Sequence, residues 1–540
     1  MRALRCKVPN EAFNLLKLKV LARGLFLPLV LRRETSMAVG KRGMRRNDRG
    51  SWAMWWWTAF GVLALLTAAA LASPGNPGPA FITLHSFDGT DGESPNAALV
   101  QGTDGNLYGT TAGGGAKGNF GTVFTITTYG TLATLHSFDG ADGANPRVVL
   151  QGFDSNFYGT TESGGANNAG TVFRITPTGT LTTLHNFCSL TGCADGANPL
   201  GLIQGDDGNF YGMTMAGGAA GSCSPAGCGT LFGITPSGLL TTLYAFCPEK
   251  GCPDGSNPND LIQATDSSSS FGYGTTGFGG TNNAGTVFEV SRIHGMVETL
   301  YSFSGTNGLF PNGVVEASNT ELYGTTENGG TNSKTLGGTV FQLTTNGVLT
   351  TLYSFCAKSG CKDGSNPMAP PIEATDGNFY GTTSGGGANA SCLPAGCGTV
   401  FAITTSGVLK TLYDFCPQIG CPDGSKPYAA LVQDTNGSFY GATHGGGANN
   451  DGTIFSLSVS LDPFVALTRT SGVVGEKVNI LGTNLLGATS VSFNGLATTF
   501  EADSASEITA TVPTGATTGF VTVTTPSGIL KSNAEFEVNP

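Results

Sequence analysis

The sequence predicts an all-β protein: a seven-bladed β-propeller closed by its N-terminal strand, followed by an immunoglobulin-like β-sandwich. Three observations lead to this prediction. First, 83 Gly and 26 Pro among 540 residues disfavour long helices, because both residues destabilise helix interiors. Second, one sequence element recurs seven times. Third, that repetition stops at Asp462, and about eighty residues of alternating strand pattern follow. Since 39% of the residues are hydrophobic, the repeats can form packed cores.

Residues 1–72 are predicted to be a leader. Five Lys and Arg residues at positions 41–49 precede the uncharged stretch Trp52–Ala72, which ends in small residues. This pattern is typical of a signal peptide cleaved after Ala72. The stretch is also long enough to span a bilayer, so an uncleaved N-terminal anchor is the alternative interpretation. Residues 52–72 would then be the only membrane contact. We interpret residues 1–40 as a start codon placed too far upstream, with Met37 or Met44 as the alternative start.

The charge balance of the exported part excludes one class of partner. Residues 73–540 hold 13 basic and 34 acidic residues, a formal net charge of −21. Such a surface repels phosphate backbones, so we expect no nucleic-acid partner. We expect an extracytoplasmic protein, secreted or held at the cell surface, and a monomer.

The cysteines also indicate export. Apart from Cys6, the chain has twelve cysteines in six pairs of identical C-x4-C spacing. These are Cys188/Cys193, Cys223/Cys228, Cys247/Cys252, Cys356/Cys361, Cys392/Cys397 and Cys416/Cys421. Zinc sites usually have tighter C-x2-C spacing with nearby histidines, and the chain has five His in all. We therefore predict local disulfides that stiffen loop tips, with zinc sites as the alternative.

Three elements define the repeat. A Tyr-Gly-Thr-Thr-like element has its tyrosine at Tyr108, Tyr158, Tyr211, Tyr273, Tyr323, Tyr380 and Tyr440. A Gly-Thr-Val-Phe-like element ends at Phe124, Phe173, Phe232, Phe288, Phe341, Phe401 and Phe455. A Thr-Leu-(His/Tyr)-x-Phe-like element ends at Phe87, Phe138, Phe187, Phe246, Phe303, Phe355 and Phe415. Self-similarity at intervals of 50 to 62 residues indicates a repeat architecture.

Each repeat is predicted to contain four short strands. In the first complete repeat, strand A is 97–101, strand B 106–111, strand C 121–127 and strand D 131–138. Turn residues separate the strands, as expected for an antiparallel sheet. Four strands repeated seven times around an axis form a β-propeller.

The two ends of the array predict a closed ring over residues 73–461. The array begins with a lone strand D, Phe81–Phe87, and its last repeat has strands A, B and C but no D. The count closes if the first strand completes the seventh blade, which also removes exposed sheet edges. In such a ring the D→A and B→C loops emerge on one face, so all six cysteine pairs should lie there.

Two family resemblances follow from these residues. The strings His/Tyr-x-Phe, Asp-Gly-x-Asn-Pro, Asp-Gly-Asn-Phe-Tyr-Gly-Thr-Thr and Gly-Thr-Val-Phe, between Phe81 and about Leu461, resemble the GloVer tandem repeat of choice-of-anchor exported bacterial proteins. That resemblance implies extracytoplasmic placement and supplies no catalytic residues. Residues 462–540 resemble an IPT/TIG domain through Val478–Asn484, Val491–Gly495 and Val512–Ala516, which implies an immunoglobulin-like spacer or binding unit.

Candidate functional residues are few. Every strand A ends in Gln or Glu, at Gln101, Gln151, Gln204, Gln263, Glu316, Glu373 and Gln433. We expect these side chains to ring the central channel and bond one another. The alternative is that Glu316 and Glu373 contact a cation or a sugar hydroxyl, or act as an acid/base pair. His85, His136 and His185 are interpreted as packing residues, whereas His444 lies on a candidate face loop.

Asp-rich turns such as Asp88–Gly92 and Asp139–Gly143 offer two carboxylates each, where calcium prefers six to eight oxygens. Calcium therefore stays open, and no other cofactor is expected. The leading functional hypothesis is a non-enzymatic binding or scaffold protein that recognises a surface glycan or an extracytoplasmic protein. The alternative is a hydrolase or lyase acting on polysaccharide on a propeller scaffold.

Overall fold

The computed structural model describes residues 78–218, 223, 227–264, 270–291, 296–332, 337–389, 392 and 396–539. The predicted leader, with its signal or anchor segment and Cys6, lies outside these residues. The described chain is all-β, with one-turn 3-10 helices at Thr191–Cys193 and Leu485–Gly487. No helix among the described residues has the length and apolar character needed to cross a membrane.

Residues 80–458 form four-stranded antiparallel sheets, which are propeller-like blades and are numbered 1 to 7 by their A strands. Each sheet has the order A-B-C-D. The A strands are Val100–Gln101, Ala144–Gln151, Ala197–Gln204, Ser256–Gln263, Leu309–Glu316, Ile372–Glu373 and Val432–Gln433. The B strands are Leu107–Thr111, Phe157–Ser163, Phe210–Ala216, Ser270–Phe278, Leu322–Asn328, Phe379–Thr383 and Phe439–Thr443. The C strands are Thr122–Ile126, Thr171–Ile175, Thr230–Ile234, Thr286–Ser291, Thr339–Leu343, Thr399–Ile403 and Thr453–Ser458. The D strands are Leu132–Ser137, Leu181–Asn186, Leu240–Ala245, Val297–Ser302, Leu349–Ser354, Leu409–Asp414 and, in blade 7, Ala80–Ser86.

The first strand of the array completes the last blade, as the sequence predicts. Ala80–Ser86 pairs antiparallel with Thr453–Ser458, so that Ala80 lies opposite Ser458 and Ser86 opposite Thr453. The ring of Phe81 also stacks on Tyr413 of blade 6, with centroids 3.8 Å apart.

Each blade packs on the next through the same aromatic pair. The phenylalanine that follows strand D meets the phenylalanine of strand C in the next blade, with centroids 5.1–5.4 Å apart. The seven pairs are Phe138–Phe173, Phe187–Phe232, Phe246–Phe288, Phe303–Phe341, Phe355–Phe401, Phe415–Phe455 and Phe87–Phe124. The last pair joins blade 7 to blade 1. The repeated phenylalanines are therefore the blade-to-blade core.

The glycine before strand C permits this close packing. Gly121 has φ +94°, and a Cβ there would lie 2.3 Å from the Thr111 carbonyl oxygen and 2.6 Å from Cδ of Pro146 in the next blade. The equivalent Gly452 of blade 7 faces Pro95 of blade 1 in the same way. Glycine is needed because no side chain fits between the blades.

Within each blade, strands B and C are tied by a buried pair of threonine hydroxyls. In blade 1, Thr111 Oγ1 and Thr122 Oγ1 are 2.8 Å apart, and both residues are fully buried. The equivalent pair occurs in every blade. The recurrent threonines of the two motifs therefore satisfy each other's hydrogen bonds inside the blade.

The A strands lie closest to one another. In blades 2 to 5 each A strand contacts strands A and B of the blade before it. Threonines of strand B reach forward as well, for example Thr160 Oγ1, which donates to the Leu200 carbonyl at 2.7 Å.

Residues after the repeats form two further sheets around one core. One sheet contains Ala466–Leu467, Lys477–Leu481, Glu507–Thr511 and Phe500–Ala502, and the other contains Ser471–Val473, Gly528–Asn539, Gly519–Thr525, Ser490–Phe493 and Leu496–Thr498. Their shared core is built from fully buried apolar residues, among them Ile480, Ile508 and Val523. This pair of sheets is called the C-terminal unit below.

Candidate functional site: the loop face of the blades

The blade topology gives the blades two unlike faces. The D→A and B→C connections emerge on one face, here called the loop face, and the A→B and C→D turns emerge on the other, the turn face. The C-terminal unit lies against the turn face. Ser506 Oγ donates to the Thr103 carbonyl at 2.8 Å, and the Phe464 amide donates to the Thr435 carbonyl at 3.0 Å. These contacts are with the turn face, on the side of the blades opposite the loop face.

The twelve cysteines after Cys6 are paired as the spacing predicts, as disulfides and not as metal ligands. Every pair lies in a D→A or a B→C connection. In blades 3 and 6 two disulfides meet, and Sγ of Cys392 lies 3.7 Å from Sγ of Cys421. Disulfides in this number are typical of proteins outside the cytoplasm.

The disulfides accompany longer loops. Stapled D→A loops span twelve positions from the phenylalanine to the proline of strand A, as from Phe187 to Pro199, whereas unstapled ones span eight, as from Phe87 to Pro95. The short loops lead into blades 1, 2 and 5. The loop face therefore has longer, stapled connections into blades 3, 4, 6 and 7 and shorter ones into blades 1, 2 and 5.

Six of the seven glutamine and glutamate residues that end the A strands bond the turn of the preceding blade, and none of these bonds joins two of the seven. Gln151 accepts from the Thr103 amide at 2.9 Å and donates to Thr103 Oγ1 at 3.3 Å. Gln101 of blade 1 makes the same two bonds to Thr435 of blade 7. Equivalent links join Gln204 to Phe153, Gln263 to Asp206, Glu373 to Ser318 and Gln433 to Thr375. Their amides and carboxylates are thus engaged in joining blades.

The surroundings of Glu373 do not suit the acid/base role considered for it and Glu316. Both carboxylate oxygens of Glu373 are occupied by Ser318, through its amide at 2.7 Å and its hydroxyl at 2.7 Å. The equivalent Glu316 ends strand A of blade 5 and also has an interaction partner. Nothing in this arrangement aims a Glu373 oxygen at an open site.

The strand D histidines and tyrosines tie down the following loop. His136 Nε2 lies 2.7 Å from Asp142 Oδ2, and Tyr413 donates to Asp423 at 2.8 Å. The acidic turns use their remaining oxygens locally. Asp88 Oδ1 accepts from the Thr90 amide and hydroxyl, and these hydrogen bonds lower the pKa of Asp88. The carboxylates considered for calcium are therefore hydrogen-bonded within their own turns and, at Asp91 and Asp142, to the histidine of the preceding strand D.

One set of residues was missed by the sequence reasoning. It is the residue that follows the proline at the loop-face end of each A segment, inside strand A in blades 2 to 5 and ahead of it in blades 1, 6 and 7: Asn96, Arg147, Leu200, Asn259, Asn312, Met368 and Tyr428. Asn259 and Asn312 bond forward to the next blade, each donating to a proline carbonyl at 2.8 Å. Aligning the repeats on this proline would have shown that the next position differs in chemical type from blade to blade.

The residue before that proline is also unusual. In every blade it adopts a left-handed conformation, with φ between 54° and 58°. Asparagine, which tolerates this conformation, occupies the position in four blades, but Phe310 and Lys426 occupy it in blades 5 and 7. Residues held in such a rarely populated conformation are often found at functional sites, so Phe310 and Lys426 are candidates for a functional role.

These two positions bring unlike groups together over blades 7, 1 and 2. The rings of Tyr428 and His444 are 4.7 Å apart, and the His444 amide donates to the Lys426 carbonyl at 3.0 Å. Burial and the positive charges of Lys426 and Arg147 hold the pKa of His444 below its usual value. Arg147 in turn pairs with Glu162, its Nε lying 2.6 Å from Oε2. We call Asn96, Asn145, Arg147, Lys426, Tyr428 and His444 the mouth cluster.

Strand A of blade 4 carries a further unpaired acid. Asp260 lies at the position occupied by Gly201 in blade 3 and Gly313 in blade 5. Its carboxylate accepts one hydrogen bond, from the Leu261 amide at 3.0 Å, and burial raises the pKa of Asp260 to about 7. The neighbouring glycines leave room for this side chain, since a Cβ at Gly313 would collide with it.

Two cavities lie at the turn face. One, of about 280 Å³, lies between blades 1 and 2 and the C-terminal unit, where Arg469 lies over the ring of Phe153. The other, of about 660 Å³, is lined by Tyr380, Leu412 and Leu461 among others. The glutamine side chains that line the first cavity are those already bonded between blades.

Comparisons with known proteins place the repeat. A family model described as the Gloeobacter/Verrucomicrobia repeat matches residues 74–272 and 257–509, beyond the Leu461 limit of the sequence resemblance. No curated protein matches the chain.

Several solved structures are similar to this chain. The extracellular domain of a one component system protein from B. thetaiotaomicron has 12% identity and a TM-score of 0.46, over 85% of this chain and 58% of that one. A fungal alcohol oxidase has 13% identity and a TM-score of 0.48, over 85% and 99%. An oligogalacturonate lyase from Vibrio parahaemolyticus has 10% identity and a TM-score of 0.42, over 71% and 97%. The first comparison thus spans little more than half of the matched chain. Because the repeat model covers most of its residues, this protein belongs to the Gloeobacter/Verrucomicrobia repeat family.

Proposed function

We propose that the protein is an exported, non-enzymatic binding or scaffold protein of the bacterial cell exterior. In this proposal residues 73–461 are a closed seven-bladed β-propeller, and residues 462–540 are an IPT/TIG immunoglobulin-like domain that acts as a spacer. The loop face binds a surface glycan or an extracytoplasmic protein. The six disulfides and the predicted export segment support the extracytoplasmic location.

The main support for the proposal is the location of the residues and loops that differ from blade to blade. The phenylalanine contacts between blades repeat seven times, whereas disulfide content, the residue after the proline and, apart from the turns of blade 4, loop length vary on the loop face. Variable loops on a rigid scaffold are the usual place for recognition. A non-repeating surface is what a specific partner requires.

We prefer binding to catalysis because the candidate acidic residues already have hydrogen-bond partners. Catalysis needs an acid and a base aimed at one reacting bond. The carboxylate of Glu373 is held by Ser318, and the strand D histidines are held by aspartates in their own loops. The polysaccharide hydrolase or lyase remains the outcome that the following test would reveal.

The test uses the full chain, secreted through its own leader, on a broad glycan array and in parallel hydrolase and lyase assays. We expect glycan or protein binding without turnover. Turnover that Glu316→Gln or Glu373→Gln abolishes would replace the binding proposal by the enzymatic one. Absence of binding to any glycan on the array and to any extracytoplasmic protein of the source cell would contradict it.

A further inference from the structure

The mouth cluster contains three polar side chains, Lys426, Tyr428 and His444, that differ from the paired histidines of strand D. Tyr428 and His444 make no side-chain hydrogen bond or ion pair within the described residues, whereas His85, His136 and His185 each pair with an aspartate. Lys426 is exposed and likewise has no ion pair within the described part of the chain. Three unlike polar groups are therefore available at one place.

Two amide oxygens in the cluster are also unsatisfied. Oδ1 of Asn96 and Oδ1 of Asn145 are buried and have no hydrogen-bond partner, although Nδ2 of Asn145 donates to Glu162 at 2.6 Å. An unsatisfied buried acceptor costs about 1–3 kcal/mol. Both oxygens lie below the surface, so the groups left to a ligand are those of Lys426, Tyr428 and His444.

The charge of the cluster is locally positive in an acidic protein. Lys426 and Arg147 contribute two positive charges and Glu162 one negative charge, whereas residues 73–540 carry a formal net charge of −21. Physiological salt screens charges more than about 8 Å away, so a single anionic group at the cluster experiences mainly the nearby lysine and arginine. A polyanion, which extends over the acidic surface, would be repelled.

We propose that the mouth cluster is a binding site for a glycan that ends in one carboxylate-bearing sugar, a terminal uronic acid. This inference rests on the proposed glycan-binding function and assigns its site. Tyr428 supplies an aromatic face for the C–H side of the sugar ring, and Lys426 pairs with the carboxylate.

The repeat itself supplies substitutions that should fold. Asparagine occupies the position of Lys426 in four other blades at the same left-handed φ, and methionine occupies the position of Tyr428 in blade 6. Lys426→Asn and Tyr428→Met therefore place in blade 7 residues that the scaffold already accommodates. Lys358→Asn, at an exposed lysine within the Cys356–Cys361 loop of the same face, is the matched control for the loss of one positive charge.

The experiment measures binding of the full secreted protein to two immobilised oligosaccharides that differ only in a terminal glucuronic acid or glucose. We expect tighter binding to the acidic probe. Lys426→Asn should weaken binding to that probe about five- to tenfold and change binding to the glucose probe less than twofold. Tyr428→Met should weaken binding to both probes about tenfold, and Lys358→Asn should change neither.

Three results would overturn the inference. They are equal loss on both probes for Lys426→Asn, unchanged binding for Tyr428→Met with retained thermal unfolding, and no preference of the unmodified protein for the acidic probe. If the broad array shows binding to another glycan that these two substitutions leave intact, this site assignment fails while the proposed binding function survives. If nothing on the array or among extracytoplasmic proteins binds, the proposed function itself fails.

Discussion

The two ends of the A strands differ in chemistry, although every blade contributes one residue to each end. At the turn face that residue is Gln or Glu in all seven blades, and six of these side chains bond the turn of the preceding blade. At the loop face it is Asn, Arg, Leu, Met or Tyr. The comparison teaches that the sequence repeats where every neighbouring blade needs the same contact. It diverges at the loop face, where Asn259 bonds the next blade but the Tyr428 hydroxyl bonds nothing among the described residues.

The comparison depends first on a closed ring, in which no blade interface is special. Phe87 and Phe187 are both fully buried and meet Phe124 and Phe232 across equivalent interfaces, the first at the junction of blades 7 and 1. We expect Phe87→Ala and Phe187→Ala each to lower the free energy of unfolding by about 4 kcal/mol, because each opens a cavity in a core. Denaturant titration measures both.

An open array would give a different pair of values. In that case the junction of the first and last strands would be frayed, and Phe87→Ala would cost far less than Phe187→Ala. A difference of more than about 2 kcal/mol in that direction would contradict closure.

Much of this scaffold was predictable from sequence because its contacts are local or repeated seven times. The pairing of Ala80–Ser86 with the last repeat followed from counting strands, and the six disulfides from their constant spacing. The bonding of Gln151 was predicted only in part, since its partner is the turn at Thr103 and not another glutamine. That partner depends on the stagger between blades, which no single repeat encodes.

The mouth cluster was not predictable for a related reason. Each repeat supplies one or two of its residues, and Arg147 comes near His444 only because blade 7 closes on blade 1. His444 was noticed as a face residue, but Tyr428 resembles any other repeat aromatic until its ring contact with His444 is seen. Because the cluster combines one or two non-consensus residues from each of three repeats, no single stretch of sequence contains a motif for it.

The second prediction concerns the repeated glycines, which keep the blade interfaces uniform. Gly170 and Gly192 both have positive φ, but a Cβ at Gly170 would meet the Thr161 carbonyl at 2.3 Å and Pro199 at 2.5 Å, whereas nothing lies within 4 Å of one at Gly192. We expect Gly170→Ala to destabilise by about 3 kcal/mol and Gly192→Ala by about 1 kcal/mol. Similar costs would show that backbone conformation alone, and not blade packing, selects these glycines.

The third prediction concerns Asp260, which interrupts the symmetry between the two ends of strand A. Its pKa is raised to about 7 in the folded protein, so the folded state holds its proton at pH values where the unfolded chain, with an ordinary pKa near 3.9, has released it. Stability should therefore fall as the pH rises from about 4 through 7. Asp260→Asn should remove this dependence and raise stability at pH 8 by on the order of 2 kcal/mol, because solvent reaches part of the residue.

Denaturant titration at pH 5 and pH 8 measures that effect. Asp139→Asn in an exposed turn is the matched control, since it removes a carboxylate that lies outside strand A. Equal stability of Asp260→Asn and the unmodified protein at both pH values would mean that Asp260 is solvated like a surface acid.

The smallest stability effect divides the two ends most sharply. Gln151→Ala removes the bonds to the Thr103 amide and hydroxyl, so it should cost about 1–2 kcal/mol of stability and leave ligand binding unchanged. Tyr428→Met should do the reverse, since the Tyr428 hydroxyl bonds nothing among the described residues: we expect stability to change by less than about 0.5 kcal/mol and binding to weaken about tenfold. Measured together, unfolding and binding test one claim, that repeated residues hold the ring and divergent ones meet the ligand. If Gln151→Ala weakened binding while the mouth cluster stayed intact, the Gln and Glu residues at the turn face would belong to the binding site. The proposed separation of roles between the two ends of the A strands would then be wrong.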